Sequence, residues 1–311
     1  MRFNNIALAA TAVVSATAQR PSDTPICDYY TTALLKNNTA ENQLTLLTLL
    51  VNTVVIGNYT EPNVGIKVPG ILAPGKINDT DVNLLPYFDG ELASSNRGGK
   101  KGVAVNFLDG GGAAPLMKNK PAEDDSSNQY FLLTHLYQFF GSLLGCSMQG
   151  MSGFDAYTSE SSMYKVHKFM DLDYAEVTYF VTQVGLAAAS FGVAEDDIKG
   201  VATALNSLFN VRCAPATTVI KAQGSQLQSI CIAESCPLAM DGVCSKYDTP
   251  VEPKNATVTG SSTATMTSGT AMTGTETATG TGVAQATSTG AAAAVGLGWA
   301  GIAVGFAAFM L

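Results

Sequence analysis

Residues 173–212 read "DYAEVTYFVTQVGLAAASFGVAEDDIKGVATALNSLFNVR". In the first half, Val177, Phe180, Val181, Val184, Ala188 and Phe191 recur at three- and four-residue spacing, which marks one apolar helix face. Asp173 stands at the capping position, and Glu176 follows three residues later as in a capping box. Gly192 ends the helix. A second helix is expected over 195–212, with Ile198, Val201, Ala202, Leu205, Leu208 and Phe209 as its stripe and Glu195, Asp196 and Asp197 in its first turn. A loop this short implies that the two helices pack as an antiparallel pair. Working outward, residues 42–56 and 128–145 are further helix candidates, although the β-branched end of the first also suits a strand. The fold class read from these patterns is all-α.

The two ends of the chain are of a different kind. Arg2, an apolar run from Ile6 to Val14 and the triplet Ala16-Thr17-Ala18 have the layout of a secretory signal peptide over 1–18. Residues 251–289 are almost entirely Thr, Ser, Ala and Gly, too poor in apolar periodicity to fold, and read as a disordered, O-glycosylated stalk. Residues 290–311 are apolar to the last residue with no charge after them, which fits a GPI-attachment signal better than a permanent span. Attachment is expected between Gly280 and Gly290. The expected organisation is therefore a secreted protein at the cell surface or wall, bound to the plasma membrane by a GPI anchor, with residues 19–250 as its single folded domain.

Secretion implies an oxidising compartment, where the six cysteines, Cys27, Cys146, Cys213, Cys231, Cys236 and Cys244, favour disulfides. Their spacing matches no zinc pattern. Asn37, Asn58, Asn78 and Asn255 each open an N-glycosylation sequon. A net charge of −8 argues against nucleic acid as a partner, since that requires a basic face. Between the helices, 58–83 and 91–127 read as long irregular insertions. The glycine-rich "RGGKKG" within the second lacks the phosphate-loop pattern.

Only two histidines occur, His135 in "QYFLLTHLYQFFGSLLGC" and His167 in "MYKVHKFMDLDYAEVTYF". A lone histidine on an apolar face is usually a satisfied core residue. Two such histidines, each among aromatic and aliphatic side chains, also suit a second purpose. They can offer neutral axial nitrogens across a dry slot, which is what an iron porphyrin requires.

The order of elements sharpens this. Residues 157–212 resemble the second half of the truncated haemoglobins, in the sequence Tyr157-Thr158, Met163, His167, Gly192-Val193 and Glu195-Asp196. More weakly, "HLYQFFGSLLGC" resembles the ending of that family's distal helix and "LLPYFDG" its aromatic pair. The resemblance implies a globin-like, truncated helix-on-helix domain with long loop insertions and a disulfide-linked C-terminal extension. It implies one haem b, with His167 as proximal ligand and His135 as a second, distal one. Phe88, Leu132, Leu136, Phe139, Phe140, Met163, Val166, Val177 and Phe180 would line the pocket. The chain departs from the family where an oxygen-binding tyrosine is common, at or near Val51, and where Leu144-Gly145-Cys146 replaces Leu-Gly-Gly. A small gaseous or redox ligand (oxygen, nitric oxide or peroxide) and an electron-transfer partner are then expected in place of oxygen transport.

Other classes are harder to assemble. No nucleophile signature accompanies either histidine, so a hydrolase triad is not supported. Carboxylate-pair catalysis finds only scattered acids. The principal alternative is a non-enzymatic wall or surface interaction protein without haem, and extracellular haem capture is a third.

Overall fold

The computed structural model describes residues 19–60 and 64–256. The expected signal peptide over 1–18 and the anchor signal over 290–311 lie outside the described residues, as does the stalk from residue 257 onward. All described residues belong to one compact unit.

Among the described residues seven α-helices form, in chain order: α1 Ile26–Leu35, α2 Ala40–Ile56, α3 Ala113–Leu116, α4 Asn128–Leu143, α5 Met163–His167, α6 Tyr174–Ser190 and α7 Glu195–Phe209. Local chemistry sets most of their starts. The side chains of Thr39, Ser127 and Ser162 each accept a backbone N–H of the first turn of α2, α4 and α5. The capping box of α6 is complete, with Asp173 accepting from the Glu176 amide at 2.8 Å and Glu176 accepting from the Asp173 amide at 2.9 Å. The β-branched end of α2 is helical through Ile56, because Val51, Val54 and Val55 are buried on the face that meets the rest of the core.

Helix α2 packs on α1, α4 and α6, and α7 packs on α6 as its short connection demands. Leu47, Leu133 and Leu205 are almost fully buried at these contacts, each contributing about 1.5–3 kcal/mol of transfer free energy.

The all-α expectation is overturned. Strands β1 Gly75–Ile77 and β2 Thr80–Val82 form an antiparallel hairpin, and β3 Thr217–Thr218 pairs antiparallel with β4 Ser225–Gln226. The globin-like, helix-only description of the domain goes with it. The physical reason lies in the connections. The hairpin turns at Asn78, which adopts φ 52°, and it packs on α6, where the Tyr179 hydroxyl donates to the carbonyls of Ala73 and Gly70. The preceding loop runs back along the end of α2 through Ile71 N–H to Val54 C=O at 2.8 Å. Gly57 and Gly70 cross there at positive φ, and a Cβ on Gly70 would lie 2.4 Å from the Gly57 nitrogen.

Three disulfides tie the unit: Cys27–Cys146, Cys213–Cys244 and Cys231–Cys236. The first joins α1 to the end of α4. The others shape an extension after α7 that folds back on the body. Cys231 N–H donates to Phe209 C=O, Ile232 N–H to Leu172 C=O and Tyr164 N–H to Leu227 C=O. The chain stays on the body to its last described residues, with Ala93 N–H on Lys254 C=O and Ala256 N–H on Glu91 C=O.

Candidate functional site

His167 is the last residue of α5, and Ser162 caps that single turn. Its Nδ1 lies 2.8 Å from the carbonyl oxygen of Met163, one turn back. With the proton on Nδ1, Nε2 is left as a bare lone pair. Burial is the main influence on this imidazole and pushes its pKa below the ordinary value, against the opposing pull of the Met163 carbonyl. The neutral form, the only one that binds a metal, is therefore favoured. As a whole residue His167 is half-buried.

His135 sits in the middle of α4 and repeats the arrangement, with Nδ1 hydrogen-bonded to the Phe131 carbonyl one turn back. The Phe131 ring lies 4.0 Å from the imidazole, and the Tyr157 ring meets it edge-on at 6.1 Å. Tyr157 is itself buried, packed 5.4 Å from Phe139, and its hydroxyl donates to the Glu160 carbonyl at 2.7 Å. Burial first, then the Glu160 charge, pushes the Tyr157 phenol up to about 12. The segment from Tyr157 leads directly into α5, so the neighbour of one histidine is on the chain that delivers the other.

A 3-10 turn, Asn96–Gly98, adjoins both helices. Asn96 Nδ2 donates to Lys165 C=O in α5, while the Arg97 guanidinium lies 4.6 Å from the Phe131 ring centre and donates to Asn128 at the start of α4. The two imidazoles do not touch, and each has its own neighbours.

The other expected pocket residues divide into two groups. Phe139, Phe140, Met163 and Val177 are buried in the core, with Phe140 packed 6.4 Å from Phe180 across α4 and α6. Leu132, Leu136, Val166, Phe180 and Phe88 are packed against the core but half-buried. Leu132, His135, Leu136 and Phe139 share one face of α4, whereas Leu133 and Tyr137 turn toward α2. Phe88 closes a turn whose Tyr87 hydroxyl donates to Glu176 at 3.0 Å, at the head of α6. Burial raises the Glu176 carboxyl, so this bond is made within a poorly solvated pair.

A partly open apolar cavity of about 50 Å³ lies elsewhere, lined by Tyr30, Leu46, Phe140, Val184, Ala188 and Leu205 among others. Neither histidine borders it, and cofactor pockets are roughly 300–1,000 Å³. Among the described residues, no group of three or more His, Cys, Asp or Glu side chains gathers to hold a metal ion.

Sequence reasoning missed the parts that Phe131, Arg97 and Tyr157 take beside His135. Phe131 was readable, standing four residues before His135 on the same helix face; Arg97 and Tyr157 arrive from loops and had no periodic signal. It also missed the buried pair beside Val51, where the Tyr137 hydroxyl donates to Asn52 Oδ1 at 2.7 Å.

Comparison with protein-family profiles, with curated proteins and with solved structures returns no match for this chain. Three disulfides are compatible with an extracellular protein, and among the described residues no helix is long and apolar enough to cross a membrane.

Proposed function

We propose that the folded body holds one haem b at the cell surface, with His167 Nε2 as the axial ligand and His135 Nε2 as the second. The observation that carries this reading is the hydrogen bond from His167 Nδ1 to the Met163 carbonyl. Metal-bound histidines almost always spend their second nitrogen in this way, which fixes the tautomer, orients the ring and makes the other nitrogen a better donor. The depressed basicity of His167 works in the same direction, because no proton has to be displaced near neutral pH. Further support comes from the likeness of residues 157–212 to the truncated haemoglobins around Met163 and His167.

When bound, haem would supply a one-electron redox couple and a coordination site for oxygen, nitric oxide or peroxide. The chain's own contribution is to bind and exclude water. Leu132, Leu136, Val166, Phe180 and Phe88 offer apolar surface to a porphyrin face. His135 would hold the group as a second imidazole ligand. That favours electron exchange or ligand-triggered chemistry over oxygen transport. The apolar end of the chain and its Thr-rich approach support a GPI-anchored, secreted setting, in which the partner is a small ligand or an electron-transfer protein.

A hemin titration of the secreted protein tests the reading. The expected result is saturation at one hemin per chain with a sharp Soret band of a six-coordinate, low-spin ferric haem. Weak binding that never saturates would overturn it, leaving the non-enzymatic surface protein as the better account.

A further inference from the structure

We infer that the partly open apolar cavity between α1, α2, α6 and α7 is a binding site for one unbranched, uncharged alkyl chain, such as that of a free alcohol or ester. The inference is independent of the haem reading, since neither histidine borders this space.

The cavity measures about 50 Å³, and none of the side chains that line it is charged. Leu46, Val184 and Leu205 are buried, whereas Leu34, Leu50, Val193 and Ile198 are half-buried, so the apolar lining continues out to solvent. Unfilled space of this kind forfeits dispersion contacts along its walls. Size and charge set what can restore them. A ring is too large, since benzene is taken up by a cavity of about 150 Å³. An extended run of methylenes is narrow enough to enter by its end and to lie along the half-buried aliphatic residues. Tyr30, the one lining residue with a hydroxyl, donates to Asp197 at 2.7 Å and accepts from the Ala194 amide at 2.9 Å. Asp197 is also paired with Arg20 at 2.9 Å. These polar groups satisfy one another and leave no partner for a charged headgroup, so recognition falls to the chain itself.

Gly185 is the second observation. It lies within α6 and lines the cavity. Its φ is not positive, and a Cβ there would meet only Ile198 Cγ2, at an ordinary 3.5 Å. Glycine is a poor helix former, and neither backbone nor packing calls for it at this position. Its effect is to leave room between α6 and α7. Gly200, on the exposed side of α7, also has open space where a Cβ would go but does not line the cavity.

Titration of the full secreted chain with 1-alkanols from butanol to octanol, followed by ¹³C-methyl NMR, tests this. The Leu46, Val184 and Leu205 methyl signals should shift and saturate, with an affinity that rises about fourfold for each methylene added. Cyclohexanol should not saturate them. Gly185→Leu should fill the space and abolish the saturable shifts. Gly185→Ala, which takes up about one methylene of it and keeps the fold where Leu does not, should weaken octanol about fourfold. Gly200→Leu, the same change outside the cavity, should leave binding at the wild-type value. Shifts that grow without saturating, or saturable binding unmoved by both Gly185 variants in folded protein, overturn the site. Shifts produced by phosphatidylcholine vesicles but not by dissolved octanol also overturn it, and make this face a membrane contact.

Discussion

His167 Nδ1 and the Met163 carbonyl oxygen lie 2.8 Å apart across the single turn of α5, so the nitrogen not engaged in this bond is Nε2. This bond and the burial around it set the pH response of the unbound protein. Burial, the larger influence, holds the folded imidazole below its ordinary value of 6.5, so the unfolded chain takes up a proton that the folded one resists. The stability contributed by the neutral ring is present above pH 6.5 and is lost progressively as pH falls below it. Urea unfolding at pH 5.0 and 7.5 should show a larger loss on acidification in the wild type than in His167→Gln. Equal losses would mean that His167 titrates alike in the two states.

The bridge between Cys27 and Cys146 closes a separation of 119 residues and joins α1 to the end of α4. Constraining so long a loop in the unfolded chain is worth about 2–5 kcal/mol. Cys27→Ala with Cys146→Ala should lower the unfolding free energy by that amount. The Cys231–Cys236 pair, separated by only five residues, should matter less when removed in the same way. Reversal of that order would show that local strain, not loop closure, dominates.

Much of the helical frame is legible in the order of residues alone. The Asp173–Glu176 capping box, the stripe ending at Phe191 and the acidic opening of α7 all follow from short-range rules that act within one helix, and the structure reproduces them. The strands are not legible, because β1 and β2 are three residues each, too short for a period of two to register. What stabilises them is tertiary: the Tyr179 hydroxyl reaching two loop carbonyls from α6. The same division runs through the candidate site. His135 and His167 stand out by rarity and surroundings. Arg97 and Tyr157 approach from loops whose path depends on contacts far apart in sequence, such as Ser95 with Val103 and Ser162 with Leu227.

Tyr137 and Asn52 offer a test of the interior beside the expected distal face. Asn52 is fully buried, accepts from the Tyr137 hydroxyl at 2.7 Å and donates to the Leu116 carbonyl at 3.1 Å. Tyr137→Phe keeps the ring and strands the Asn52 oxygen without that donor. An unfolding free energy lowered by about 1–3 kcal/mol is expected, the cost of a buried unsatisfied polar group. An unchanged value in chemical denaturation would mean that a water molecule or another donor replaces the hydroxyl.

The central claim is that His167 Nε2 binds haem iron, and replacing that nitrogen from solution tests it most directly. His167→Gly removes the ligand and leaves space for a free imidazole in its place. The account predicts that His167→Gly loses stoichiometric hemin binding, and that millimolar imidazole restores both saturation at one per chain and the low-spin spectrum. Hemin binding by His167→Gly that matches the wild type without imidazole would contradict it.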